Sequence, residues 1–127
     1  VSHDHRTAAL EGTAERALTS NDFVNWGPYF HPDSKHILYA TSRHGHDNYE
    51  LYMLDVDGGD EMRITYKDGF DGLPVFSPDG KKLMWTSSGR TSNKQSQLFL
   101  ADFSVEAVAQ RQKAAMAAAG LDKMLQQ

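Results

Sequence analysis

Short apolar runs that end in turn signals fill the middle of the chain, and they occur in two similar sets. "HILYATS" (36–42) is followed by "ELYMLDV" (50–56), and "KLMWTSS" (82–88) is followed by "QLFLADF" (97–103). All four runs are rich in the β-branched, aromatic and aliphatic residues that favour strands. In residues 50–56 both alternating faces are apolar, which is typical of a strand covered on both sides. The pattern predicts two β-units joined by hairpins, each of which packs between neighbours.

The two sets are copies of one repeat offset by 46 residues, so that Thr19 corresponds to Thr65 and Ser42 to Ser88. Further matched pairs are Pro28 with Pro74, Phe30 with Phe76, Asp33 with Asp79, Lys35 with Lys81 and, after one extra residue, Leu51 with Leu98 and Asp55 with Asp102. Four short strands at a period in the mid-forties are typical of a β-propeller blade. A β-sandwich of two four-stranded sheets is the alternative that the period leaves open.

Each copy also carries a recognisable motif. The second copy reads P-x-F-S-P-D-G-K at 74–81, and the first copy ends with D-x-D-G at 55–58 and R-I-T at 63–65. Over about residues 17–103 the chain resembles the WD40-like (PD40) repeats of TolB-type β-propellers, and it is similar to the C-terminal two blades of a larger propeller. The first copy departs from the motif at His31, where the repeat has serine, and at Ser34, where it has glycine.

The resemblance implies a partner-binding role. Propellers of this kind are typically six-bladed scaffolds of the periplasm or cell surface, and partners dock at the channel mouth or on rim loops. A periplasmic or secreted location follows from the resemblance. The first strand of each blade lies nearest the channel, so the residues implied in partner binding are Phe23, Trp26, Tyr29, Phe70 and Leu73. The alternative is that these side chains fill the gap between blades.

The predicted fold class is all-β, with two four-stranded antiparallel propeller blades and a C-terminal helix. Ser104 is the predicted N-cap of that helix and Gly120 its predicted end. The predicted organisation is an outer strand or remnant of a preceding blade at 1–19, a first blade at 20–65, a partial second blade at 66–103 and a helical extension at 104–127.

Two blades alone leave large apolar sheet faces open, and such faces favour association. Three arrangements cover them: the chain is a fragment of a longer propeller, several copies form a ring (three chains giving six blades), or two chains stack face to face. We therefore expect a homo-oligomer or a piece of a longer chain, with a protein partner or further copies bound to the open faces. A start at Val1 rather than methionine suggests a processed, truncated or excised piece.

Composition limits the classes of partner and the chemistry that are possible. The net charge is -4 and no basic stripe covers a face, which disfavours nucleic acid as a partner. No apolar run approaches the ~20 residues that span a bilayer. The chain has no cysteine, which excludes disulfides and thiol nucleophiles and suits an oxidising compartment. A signal-peptide pattern is not visible in this chain.

No catalytic residue is predicted. The chain lacks a G-x-S-x-G elbow and a phosphate-binding loop, and "DVDGGD" at 55–60 fits a hairpin better than a calcium loop. No cofactor is predicted, except that His44, His46 and Asp47 share one loop and could bind a divalent metal. The "HDH" at 3–5 offers a similar set. A solvated polar loop is the alternative.

The leading interpretation is a non-enzymatic binding scaffold. A second interpretation is the non-catalytic propeller portion of a secreted peptidase or hydrolase, which would position substrate for a domain elsewhere. A third is a metal-dependent carbohydrate-active propeller that uses the histidines. A contiguous peptidase domain in a longer parent protein would favour the second, and an absence of zinc or manganese binding would remove the third.

Overall fold

The computed structural model describes residues 15–125, which form seven strands and one helix. The strands are β1 (Asn25–Phe30), β2 (His36–Thr41), β3 (Glu50–Asp55), β4 (Met62–Arg63), β5 (Asp71–Phe76), β6 (Lys82–Ser87) and β7 (Gln97–Asp102), and the helix is α1 (Val105–Leu125). The first sheet has the order β1-β2-β3-β4 and the second the order β5-β6-β7, with antiparallel neighbours throughout. Most of the predicted segment 1–19 lies outside the described residues.

The two sheets repeat each other down to backbone irregularities. The innermost strand of each sheet has a bulge, and the bulge residues have positive φ angles: 63° at Gly27 and 54° at its counterpart Leu73. The turn after that strand also repeats, with φ angles of 60° at Ser34 and 74° at Gly80. Since a left-handed backbone costs a non-glycine residue about 1 kcal/mol, Leu73 and Ser34 are held there by their surroundings.

The main core lies between the two sheets, in an interface that we call the seam. The first sheet contributes the fully buried Leu38, Leu51 and Met53. The second sheet contributes Phe76, Leu83 and Trp85, each at most 8% exposed. Burial of one such side chain stabilises the fold by roughly 1.5–3 kcal/mol, so the seam holds the two sheets together.

The outer faces of the two sheets differ. On the first sheet, Ile37, Tyr39, Tyr52 and Leu54 form a small buried cluster of their own. On the second sheet, the outward side chains are exposed: Met84 by 39%, Leu98 by 70% and Leu100 by 66%. The second sheet therefore presents an apolar face that residues 15–125 do not cover.

Helix α1 follows β7 in the sequence, where the repeat would have a fourth strand, but it packs against β4 of the first sheet and does not extend the second sheet. The Ser104 hydroxyl accepts a hydrogen bond from the Ala107 amide at 3.2 Å, as expected for an N-cap. Val108 is buried at the seam, and the Arg111 guanidinium donates to the Arg63 carbonyl at 2.7 Å. The first turns of α1 thus close one edge of the seam.

The fold class predicted from the sequence is confirmed, with two differences in detail. Among residues 15–125 the second sheet has three strands rather than four, because the alanine-rich segment after Ser104 forms α1. The helix also continues through Gly120 to Leu125, whereas the sequence predicted an end at Gly120. Glycine inside a helix costs only about 1 kcal/mol, and the helix-forming residues on both sides outweigh this cost. No helix in the described part of the chain is long and apolar enough to cross a membrane.

Candidate functional site

Three aromatic rings meet where the inner strands of the two sheets begin. The ring centroid of Trp26 lies 5.9 Å from that of Tyr49 and 6.2 Å from that of Phe70, and Tyr49 and Phe70 are 5.9 Å apart. His46 adds a fourth ring, 5.9 Å from Tyr49. We call this set the aromatic cluster. Offset and edge-to-face contacts at these distances contribute about 0.5–1.5 kcal/mol each, so the cluster is an ordered unit.

The loops that carry these rings are fixed by one serine in each repeat. The Ser42 hydroxyl accepts a hydrogen bond from the Val24 amide at 2.9 Å, and the Ser88 hydroxyl accepts one from the Phe70 amide at 3.0 Å. Each serine amide in turn donates to the carbonyl of the same partner. The matched serines of the repeat therefore hold the segments that enter β1 and β5.

Close backbone packing shapes the floor beside the rings. A Cβ atom at Gly69, where φ is 108°, would lie 2.8 Å from the Gly89 Cα atom. A Cβ atom at Gly89 would lie 1.7 Å from the Asp68 carbonyl oxygen. Only glycine fits at both positions, because these loops are in direct backbone contact.

Together the loops enclose a groove of about 780 Å³, which we call the rim groove. Besides the aromatic cluster, its lining includes Asp47, Lys67, Asp68 and Lys94, all exposed. The charged lining is balanced, with two acidic and two basic side chains. An aromatic floor with a mixed polar border is the arrangement found at protein-binding surfaces, whereas a phosphate site would need an excess of positive charge.

The residues predicted to bind a partner do not all meet in this groove. Trp26 and Phe70 are in the aromatic cluster. Phe23 is 47% exposed and lies outside the groove lining, and Tyr29 contacts Phe76, with ring centroids 6.3 Å apart. Leu73 lies at the bulge of β5 and packs against Gly27 of β1. A Cβ atom added to Gly27 would be 3.4 Å from the Leu73 Cδ2 atom.

Tyr49 and His46 complete the cluster but were not predicted as partner-binding residues. Tyr49 directly precedes a strand and its repeat counterpart, Ser96, is not aromatic, so the two copies do not match at this position. The loop of His46 was singled out for a different chemistry. An aromatic residue present in only one copy of a repeat is the sequence signal that could have identified Tyr49.

The structure separates the histidines that were predicted to bind a metal. His44 stacks on Tyr52, and its Nε2 atom lies 2.5 Å from the Tyr52 hydroxyl. His46 instead contacts Tyr49, at the rim groove. Burial, followed by the charges of two nearby arginines, lowers the pKa of His44 below its ordinary value.

Within residues 15–125 no three His, Asp or Glu side chains form a group that could hold a metal. The metal site at His44, His46 and Asp47 therefore stays a prediction, without a preassembled ligand set. The second predicted set, at residues 3–5, lies outside the described residues.

A buried polar network crosses the seam below the rim groove. Glu50 of the first sheet is fully buried, and its carboxylate accepts hydrogen bonds from Arg63 at 2.9 Å and Thr65 at 2.7 Å. Asp71 of the second sheet is also fully buried, and it accepts a hydrogen bond from the Trp85 indole at 2.9 Å. The Arg90 guanidinium donates to the same Asp71 oxygen.

The carboxyl group of Glu50 is influenced by that of Asp71 across the seam. Burial raises the pKa of Glu50 to about 7, and the hydrogen bond and negative charge of Asp71 add to that rise, against the opposing effects of Thr65 and Arg63. The second Asp71 oxygen, Oδ2, is buried and has no hydrogen-bond partner within residues 15–125. We infer that Glu50 holds a proton and donates it to Asp71, which satisfies that oxygen.

This carboxyl pair was not predicted from the sequence. Glu50 and Asp71 read as ordinary first residues of strands, and they meet only because the two sheets stack. Their repeat counterparts, Gln97 and Asn25, are both amides, which is the one signal in the sequence that these positions are related.

Comparison with known proteins agrees with this architecture. The sequence signature of the TolB beta propeller domain matches residues 7–118. The chain is 41% identical over 49 residues to a protein TolB homolog of Chlorobium chlorochromatii, which covers 39% of this chain and 11% of that protein. It is 33% identical over 81 residues to the Tol-Pal system protein TolB of Francisella tularensis subsp. mediasiatica, covering 64% of this chain and 18% of that protein.

The fold comparison points the same way. The crystal structure of TolB from Acinetobacter baumannii superposes with a TM-score of 0.59 and 33% sequence identity, over 69% of this chain and 21% of TolB. The chain thus spans about a fifth or less of these three proteins. The sheets are therefore those of a propeller rather than of a β-sandwich, and the chain belongs to the TolB β-propeller domain family.

Proposed function

We propose that this chain is a non-catalytic, protein-binding scaffold of the bacterial cell envelope, exposed to the periplasm or exported. The observation that carries the proposal is the rim groove, in which Trp26, Tyr49 and Phe70 form an apolar floor within a border of balanced charge. Several of its relatives are named as Tol-Pal system proteins, which supports a place in the envelope.

The chemistry of the groove supports a polypeptide partner. Exposed aromatic side chains supply much of the binding energy at protein interfaces, and Trp26 is 48% exposed. A partner would place an apolar side chain against the three rings and pair its polar groups with the bordering lysines and aspartates. Phe23, Tyr29 and Leu73 would extend the contact around the rim, and further copies of the chain would cover the open sheet face.

The test uses purified components of the Tol-Pal system, titrated onto the fluorescently labelled chain. We expect one component to bind, and Phe70→Ala to weaken its Kd by about 30-fold, since loss of an interface aromatic costs about 2 kcal/mol. Tyr66→Ala is the matched control, because Tyr66 is 52% exposed but lies outside the groove lining. The proposal fails if no component binds, or if both variants behave like the wild type.

A further inference from the structure

Two sheet faces meet at the seam, one from each sheet. Because the two sheets are copies of one unit, each of these faces has a repeat-related counterpart on an outer face of the other sheet. The first sheet's side of the seam consists of Leu38, Leu51 and Met53, all fully buried. Their counterparts in the second sheet are Met84, Leu98 and Leu100, exposed by 39%, 70% and 66%. The second sheet thus carries the same apolar surface, without a neighbour among residues 15–125.

The second sheet's face of the seam also has a counterpart, which lies on the outer face of the first sheet. A groove of about 300 Å³ lies on the outer face of the first sheet, which we call the outer groove. Its lining includes Leu18, Thr19, Phe30, Ile37 and Tyr39. The counterparts of these residues at the seam are Ile64, Thr65, Phe76, Leu83 and Trp85.

The lining of the outer groove shows that this correspondence is geometric as well as sequential. At the seam, Ile64 and Thr65 lie beside Leu83. Leu18 and Thr19 lie beside Ile37 in the same way. The segment that ends at Thr19 therefore occupies the place of an outer strand of a preceding sheet, and the outer groove is the space that such a sheet would fill.

The polar side chains at the seam also have repeat-related counterparts on the two outer faces. The counterparts of Glu50 and Asp71, which pair across the seam, are Gln97 on the second sheet and Asn25 on the first. Gln97 is exposed. The Oδ1 atom of Asn25 is buried and has no hydrogen-bond partner in the described part of the chain, while its amide nitrogen donates to Asn21 at 2.9 Å. A buried amide oxygen without a partner is costly, so this atom needs a donor.

We propose that a second copy of this chain packs head to tail on the open face of the second sheet, so that Leu98 and Leu100 of one copy fill the outer groove of the next. In this arrangement the Gln97 amide donates to Asn25 Oδ1 of the next copy, in the place of the contact that we infer between Glu50 and Asp71 within one chain. Thr19 of the next copy accepts a hydrogen bond from the Leu98 amide, as Thr65 does from Leu51 at 2.8 Å.

The contact joins two different surfaces, so it is heterologous and repeats until the chains close into a ring. Three chains close it if the ring has six blades, the number that the family resemblance implies. This inference deepens the proposed contact between copies and does not depend on the rim groove.

Cysteine pairs test the contact directly, since the chain has no cysteine of its own. We expect Asn25→Cys and Gln97→Cys, mixed and oxidised, to form a disulfide between the two variants, whereas Gln97→Cys alone does not cross-link to itself. Cross-linking of Gln97→Cys to itself would mean face-to-face stacking. That result, or the absence of any cross-link in the mixture, would overturn the proposal.

Solution mass by light scattering provides the second test. We expect the wild type to exceed the 14.2 kDa of one chain, and Leu100→Asp to raise the dissociation constant at least about 100-fold, because it would bury an unpaired charge. Leu121→Asp, on an exposed part of α1, serves as the matched control and should assemble normally. A wild type that remains at 14.2 kDa at every concentration refutes the contact. Phe70→Ala should leave the mass unchanged, so failure here is distinguishable from failure at the rim groove.

Discussion

Glu50 should make the stability of the fold depend on pH. Its carboxyl is fully buried in the seam, and its pKa is raised from 4.5 to about 7, mainly by burial. The folded chain therefore binds this proton more tightly than the unfolded chain does. The resulting stabilisation is fully present below about pH 4.5 and is lost as the pH rises through about 7. This difference in pKa between the unfolded and folded states corresponds to at most about 3.4 kcal/mol of unfolding free energy.

Glu50→Gln removes the titration and keeps the shape of the side chain. The amide oxygen still accepts from Thr65 and the amide nitrogen can donate to Asp71, while the hydrogen bond from Arg63 is lost. That loss lowers the stability of the variant but adds no titration, so the pH slope remains the readout. We expect the wild type to lose about 2–3 kcal/mol more unfolding free energy than the variant between about pH 5 and about pH 8, measured by urea denaturation. All other ionisable groups are common to both proteins, so their contributions cancel in the difference.

Glu61→Gln is the matched control. Glu61 lies near the same sheet, but hydrogen bonds from Tyr39 and Arg43, together with the Arg43 charge, outweigh its burial and lower its pKa below 4.5. This glutamate is therefore ionised throughout the interval, and the variant should keep the pH slope of the wild type. If Glu50→Gln also keeps that slope, Glu50 does not hold a proton at the seam and the inferred pairing with Asp71 is wrong.

Two pairs of substitutions test the packing and the turns by urea denaturation. Leu51→Ala should cost about 2–5 kcal/mol of unfolding free energy, because it leaves a cavity in the seam, whereas Leu98→Ala at the repeat-equivalent exposed position should change the monomer by less than about 0.5 kcal/mol. Equal losses would contradict the assignment of the open face. Gly80→Ala should destabilise by more than about 1 kcal/mol, since φ is 74° and the new Cβ would lie 2.6 Å from the His31 ring, and Gly120→Ala in α1 should stabilise by about 0.5–1 kcal/mol. A tolerated Gly80→Ala would show that this turn can adopt another backbone conformation.

Local patterns explain why the strands could be predicted from the sequence. The run at 36–42 predicts β2, which spans His36–Thr41, and the run at 97–103 predicts β7, which spans Gln97–Asp102. Strand propensity and turn chemistry act over a few residues, and two copies of the pattern reinforce each other. The positive φ angle at Ser34 likewise follows from glycine at the matching place in the second copy.

The parts that the sequence did not predict depend on contacts between distant segments. The aromatic cluster forms because Tyr49, from the loop before β3, meets Trp26 and Phe70, and no periodicity relates the three. The pairing of Glu50 with Asp71 depends on how one sheet lies on the other. Sequence patterns place each residue on a face of its own strand, but they do not specify which residue faces it across the seam.

The network across the seam also determines how the chain should lose its structure. Either sheet alone would keep its own ion pair, Glu50 with Arg63 or Asp71 with Arg90, but would expose it and the apolar seam to solvent, so detachment of one sheet weakens the other. The two sheets should therefore melt in a single cooperative transition. Amide protons of β2 and β6 should exchange with solvent at similar free energies of opening, while the exposed end of α1 exchanges much sooner.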